Sequence, residues 1–165
     1  MTSNPDVSLE PFSAEHVSKT FGWVSDADFQ KQFLMRGAPT WEGHQAYCRR
    51  ILEDSTQRGF AIIVNGDHVG NCGLKNLTVS DGELWFYIGD PEYRRRGIGQ
   101  LATALLIREG FDALKLERIY LHVADFNIAA RKLYEKLGFQ EIRMQKHIGE
   151  WSDRGCRVIL MEVIK

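Results

Sequence analysis

The chain has 165 residues and a mass of 18.9 kDa, with 44% apolar and 26% charged residues, which predicts one domain over residues 1–165 whose core needs no disulfide or metal staple. Charges nearly cancel, 21 basic against 22 acidic, so nucleic-acid binding built on many phosphate contacts is excluded as a general property. No run of about 18 apolar residues suggests a membrane span, and the opening residues lack the basic-then-apolar pattern of a secretory leader, so a cytoplasmic protein is expected.

Apolar residues change period along the chain and mark the elements in turn. Val7 to Phe12 alternates as a short strand. Ser13 then caps a predicted helix from Ala14 to about Asp26, with Val17, Phe21 and Val24 at helical spacing. Thr40 opens a second helix, Trp41 to about Ser55. Phe60–Val64, an Asn65-Gly66 turn and residues 68–79 form a hairpin, because Asn-Gly between apolar runs favours a tight reversal. A turn at Ser80-Asp81-Gly82 leads to a third strand, 83–89, so residues 60–89 read as an antiparallel meander. After a polar loop, Asp90–Arg96, Gly97 to about Leu114 is helical and 118–124 is a strand. Asn127 caps a helix that ends at Leu137, with Gly138 as its stop. Strands at about 139–147 and 156–164 close the chain. The order β-α-α-β-β-β-α-β-α-β-β predicts an α/β (α+β) protein with a mixed sheet. Cys48, Cys72 and Cys156 are scattered, and no CxxC or HExxH spacing occurs, so reduced thiols and no metal are expected.

The densest chemical signal is Arg94-Arg95-Arg96-Gly97-Ile98-Gly99-Gln100, between a strand and a helix. Free amides in the first turn of that helix, the positive end of its dipole and three guanidinium groups suit a pyrophosphate. Acidic groups outnumber basic ones over residues 1–90 and the balance reverses over 91–165, so an anionic ligand finds its complement in the second half. Gly97-Ile98-Gly99-Gln100-Leu101-Ala102 also fits the G-x-G-x-x-A dinucleotide fingerprint. That fingerprint expects the first strand of a domain and an acidic residue about 20 positions on. Here the glycines follow a meander, and the next strand ends later, at Ala124-Asp125.

A second constellation follows. Asn127, Ala130 and Tyr134 share one face of the later helix. Arg94-x-x-Gly97-x-Gly99, then Asn127-x-x-Ala130-x-x-x-Tyr134, then Gly138-Phe139, resembles the GNAT superfamily of acetyl-CoA-dependent N-acetyltransferases, and the element order resembles that fold over nearly the whole chain. The resemblance implies a mostly antiparallel sheet with a splayed parallel pair and helices on both faces. It implies that Arg95 to Gln100 cradle the pyrophosphate of acetyl-CoA and that Tyr87, Ile88 and Gly89 pair their backbone with the pantetheine arm. It also implies that Asn127 and Tyr134 reach pantetheine and the thioester sulfur, and that an amine attacks the thioester directly. Tyr134, a phenol with an ordinary pKa of ~10, suits protonation of the leaving thiolate. A backbone N–H near Ile88 could stabilise negative charge on the acetyl oxygen. Two residues compete as general base: His122, since an imidazole's ordinary pKa of ~6.5 suits the task, and Glu83. A water relay is a third reading.

The acceptor side rests on the first two helices, the loop after them and the 148–155 loop. Trp23-x-x-Asp26 resembles the branches of the superfamily that acetylate protein N-termini, including those of ribosomal proteins, and nucleotide-linked amino sugars. Trp23, Phe29, Phe33, Trp41, Trp85, Tyr87 and Trp151 offer aromatic surface. Asp26, Asp28 and Glu42 could meet a cationic amine, which keeps polyamines and aminoglycosides open. A CoA-binding module without catalysis is the reading from another class. The partner is therefore an amine-bearing acceptor, with the chain a monomer or homodimer.

Overall fold

The computed structural model describes residues 3–145 and 157–165. β1 (Val7–Pro11) is followed by a 3-10 turn (Ala14–His16) and then by α1 (Val17–Val24), α2 (Ala27–Gln32) and α3 (Trp41–Glu53). β2 (Arg58–Val64), β3 (Asp67–Lys75) and β4 (Asp81–Ile88) make the meander, and α4 (Ile98–Arg108) follows the glycine loop. β5 (Arg118–Ala124), α5 (Ile128–Lys136), β6 (Gln140–Gln145) and β7 (Val158–Ile164) complete the order.

Three boundaries differ from the sequence reading, each for a local reason. The first predicted helix ends at Val24, close to its expected limit, and a further helix follows it, because Asp26 is extended (ψ 132°) and its carboxylate accepts the Phe29 N–H at 2.9 Å. That cap starts α2, an element not anticipated, although an N-cap aspartate followed by Phe29 and Phe33 was its signal. β3 stops at Lys75 rather than 79, because Asn76 turns to positive φ (50°). β4 begins at Asp81 rather than 83, because Asp81 and Gly82 pair with Arg118 and Ile119 of β5. The Asn65-Gly66 turn forms as expected, with both residues at positive φ. The loop at 148–155, with Trp151, and the outer ends of the closing strands at 146–147 and 156 lie outside the described residues.

The strands form one seven-stranded sheet in the order β1-β2-β3-β4-β5-β7-β6. Every neighbouring pair is antiparallel except β4 with β5. On one face, Ile98, Ala102 and Leu106 of α4 and Tyr134 of α5 join Leu74, Leu84 and Leu121 in the main core. Each fully buried leucine or isoleucine there contributes about 1.5–3 kcal/mol. α1, α2 and α3 cover the opposite face, where Phe29 and Cys48 are buried. α4 sits close to the sheet because a Cβ on Gly99 would lie 2.7 Å from the Phe86 ring.

Candidate active site

The parallel pair supplies the opening from which the site is built. β4 and β5 are in register only over Asp81–Glu83 with Arg118–Tyr120, whereas β5 and β7 pair from Arg118 to Ala124. Beyond Glu83 the two parallel strands part, leaving a cavity of about 230 Å³. Glu83, Phe86, His122, Asn127, Ala130 and Tyr134 line it. The three residues proposed from sequence for proton transfer therefore share one slot, although they come from three elements.

His122 and Glu83, read from sequence as competing bases, are hydrogen-bonded partners. His122 Nδ1 lies 2.9 Å from Glu83 Oε1. The other carboxylate oxygen accepts from Asn76 Nδ2 at 2.8 Å, and the Lys75 ammonium is 4.0 Å from Oε1. Burial pushes the Glu83 carboxyl up, but the His122 hydrogen bond, the Lys75 charge and the Asn76 amide outweigh it and hold the group below the usual carboxylate range. An ionised carboxylate only accepts hydrogen bonds, so His122 carries a proton on Nδ1, and in the neutral imidazole the free lone pair is then on Nε2. Asn76 and Lys75 were not singled out from sequence; the end of β3 brings them to Glu83.

Tyr134 is 8% exposed, and burial pushes its phenol well above the ordinary value. Its ring meets Phe86 and Phe139 edge-on, and its hydroxyl makes no hydrogen bond within the described residues. Asn127 caps α5 by accepting the Ala130 N–H at 3.2 Å, which leaves its Nδ2 hydrogens to the slot.

The glycine loop is more differentiated than its sequence suggested. Gly97 is left-handed (φ 75°) at the N-terminus of α4, with open space where a Cβ would stand. Arg95, also at positive φ, and Arg96 are exposed beside it, as is Gln100. These features fit the diphosphate of acetyl-CoA, with Arg95, Arg96 and the first amides of α4 as its holders. Arg94 turns inward instead: Nε donates to the Ile88 carbonyl at 3.0 Å and Nη2 to the Gly89 carbonyl at 3.0 Å. It fastens the loop to the end of β4. Gly99 lacks a Cβ for the sake of Phe86 beneath it, and the Ile98 side chain is buried in the core.

Tyr87 also has a different place from the one expected. The Gly89 N–H donates to Val69 on β3, so by strand alternation the Phe86 and Ile88 amides face the parted side, while those of Tyr87 and Gly89, both expected to pair with the pantetheine arm, face β3. The Tyr87 side chain enters a second cavity of about 500 Å³, on the α1–α3 face. Phe29, Phe33, Tyr47 and Trp85 also wall this cavity, and Phe33, Lys75 and Trp85 line both cavities. Trp23 packs on the backbone at Gly89, and Trp41 packs on Phe21, so neither lines it. Asp26, Asp28 and Glu42, expected to meet a cation, do not line it either. Among the described residues its lining holds no carboxylate and one ammonium, that of Lys75. No group of His, Cys, Asp and Glu among the described residues could hold a metal ion, and no described helix is long and apolar enough to cross a membrane.

Comparisons with known proteins bear on this arrangement directly. Residues 6–140 match the acetyltransferase (GNAT) domain. Over 140 residues the chain is 32% identical to the spermidine N(1)-acetyltransferase of Escherichia coli K12, covering 84% of this chain and 75% of that one. It is 23% identical over 127 residues to the acetyltransferase PseH of Campylobacter jejuni, covering 77% and 78%. The spermidine N-acetyltransferase of Vibrio cholerae, solved with CoA and spermine, superposes with a TM-score of 0.86 at 19% identity, covering 96% of this chain and 95% of that one. The fold is thus shared beyond the level of sequence identity. With a domain match over most of its length and a relative this similar, the chain belongs to the GNAT acetyltransferase family, enzymes that carry an acetyl group from acetyl-CoA to an amine.

Proposed function

We propose that the protein acetylates a primary amine borne on a nucleotide-linked sugar or at a protein N-terminus, in preference to a polyamine or an aminoglycoside. The observation that carries this reading is the lining of the larger cavity: aromatic rings, the Lys75 ammonium and no carboxylate among the described residues. A polycation held there would lose water without gaining a counter-charge, whereas a carrier with apolar faces and anionic or carbonyl oxygens meets rings and an ammonium.

The proton path follows from the side chains. The amine enters from the larger cavity where Phe33, Lys75 and Trp85 join it to the slot. His122 Nε2 takes the proton the nitrogen must shed, with Glu83 holding the Nδ1–H and stabilising the imidazolium, the logic of a base oriented by a carboxylate. The nitrogen–carbon bond forms, the carbon–sulfur bond breaks, and the Tyr134 hydroxyl gives its proton to the departing thiolate. Amides on the parted side of β4, at Phe86 and Ile88, face negative charge building on the acetyl oxygen. A cytoplasmic location is supported by Cys48 and Cys72 as buried free thiols.

The test is thiol release from acetyl-CoA with a nucleotide-linked amino sugar, a peptide with a free N-terminus, and spermidine. One of the first two is expected to have the highest kcat/KM. Spermidine as the best acceptor would overturn the acceptor class. Binding of acetyl-CoA with no thiol release for any amine would favour a CoA-binding module instead.

A further inference from the structure

Within the rings of the larger cavity lies one buried polar cluster that the reaction itself does not use. Asn71, 2% exposed, is its centre. Its Nδ2 donates to Thr20 Oγ1 at 2.9 Å and to Tyr87 Oη at 2.7 Å. Its Oδ1 is 2.8 Å from His68 Nε2. Asn71, Thr20 and Tyr87 all line the cavity, and His68 stands behind them between the rings of His16 and Trp23.

The donor and acceptor inventory gives the cluster a direction. A carbonyl oxygen cannot donate, so His68 Nε2 carries a hydrogen and gives it to Asn71. Burial lowers the His68 pKa, which keeps this imidazole neutral near pH 7. With its oxygen engaged by His68, Asn71 spends both amide hydrogens on the two hydroxyl oxygens. Thr20 and Tyr87 therefore both accept, and each retains its own hydrogen. The two hydroxyls are also hydrogen-bonded to each other, so they use one hydrogen between them and leave the other.

We infer that the His68–Asn71 pair orients the Thr20–Tyr87 hydroxyl pair so that its one remaining hydrogen is a hydrogen-bond donor toward the acceptor substrate, and the cavity thereby selects amines whose carrier presents an oxygen atom to it. Thr20 and Tyr87 are the residues that would touch the substrate; Asn71 and His68 position them. The inference rests on the larger cavity being the acceptor site. It deepens that reading, because sugar hydroxyls, phosphates and peptide carbonyls all offer such an oxygen and a polyamine chain offers none.

The test uses two matched probe amines, cyclohexylamine and 4-aminotetrahydropyran, which differ by one ring oxygen. kcat/KM is measured for each with the intact enzyme and with Tyr87→Phe and Thr20→Val, which remove one hydroxyl while keeping the side chain's shape. The intact enzyme is expected to favour the oxygen-bearing ring by about tenfold, mainly through KM, the size of a hydrogen bond lost in a buried site. The preference should shrink toward unity in at least one variant while the KM for acetyl-CoA stays the same. Binding of the same amines to the CoA-loaded protein, read by thermal shift, reports the preference even for a slow acceptor. Equal treatment of the two rings by the intact protein in both assays, or variants that lose activity equally on both, would overturn the inference. A protein that distinguishes the rings yet turns over spermidine fastest would refute the acceptor class and retain this inference.

Discussion

The two cavities beside β4 share three residues and differ in almost everything else. The smaller one, between the parted strands, gathers the ionisable machinery: a carboxylate, an imidazole and a phenol. The larger one is a ring-lined chamber whose polar groups are chiefly neutral and hydrogen-bonded to one another. β4 borders both, and the smaller cavity opens through the sheet, because Glu83 and Trp85 from one face and Leu84 and Phe86 from the other all line it. Residues Glu83, Trp85 and Tyr87 alternate to one face, and Leu84, Phe86 and Ile88 to the other. The proposed reading is a division of labour, with chemistry where hydrogen bonding between strands fails and recognition where helices cover the sheet.

The largest effect expected from breaking that division is at Tyr134. Tyr134→Phe removes only the hydroxyl, so ring packing on Phe86 and Phe139 survives, and kcat should fall by about 10²–10⁴ with little change in acetyl-CoA affinity. Full activity in that variant with the best amine would show that the thiolate leaves unaided. The dyad comes next. His122→Ala is expected to lower kcat/KM by about 10²-fold and to remove an ascending limb of the pH–rate profile. Glu83→Gln should cost about 10-fold while keeping a limb, since its role is to orient the ring. An unchanged profile in His122→Ala would return the base to Glu83 or to water.

Two glycine substitutions sharpen the contrast between holding the cofactor and holding the fold. Gly99→Ala drives a methyl into the Phe86 ring and should destabilise the protein by about 1–3 kcal/mol in denaturant melts. Gly97→Ala meets open space but keeps a left-handed backbone, a strain of about 1–2 kcal/mol. Its clearer readout is weakened acetyl-CoA binding in calorimetry, because the new Cβ stands where the diphosphate approaches. Normal binding by Gly97→Ala would remove the loop from the cofactor site.

The smallest effect belongs to the acceptor side. His44 and His68 both have pKa values lowered by burial. The unfolded chain protonates these imidazoles near ~6.5, before the folded one does. Their contribution is therefore complete above that pH and is lost as pH falls below it toward the folded values. The melting temperature should drop steadily from pH 7 to pH 5, and His68→Gln should flatten part of the slope. A melting temperature indifferent to pH over that range would mean that these imidazoles are not held neutral.

Local chemistry written in consecutive residues was enough for much of the chain. Asn65-Gly66, Asn127 with Gly138, and the arginine–glycine loop each declare a turn, a cap or an anion site through the preferences of a few neighbouring backbones. Those signals, in order, carried the sheet and the family, and they single out the loop proposed to hold the cofactor. What they could not carry was pairing across distance. Glu83 and His122 are 39 residues apart and meet because β4 and β5 separate just beyond their last shared register. Asn71 reaches Thr20 across 51 residues because α1 lies over β3. The inward turn of Arg94 to the end of β4 and the placing of Tyr87 in the larger cavity depend on how β4 packs against its neighbours. Hydrophobic periodicity tells which residues are covered, but only the packed sheet and helices decide which polar groups are then left without water and must find each other.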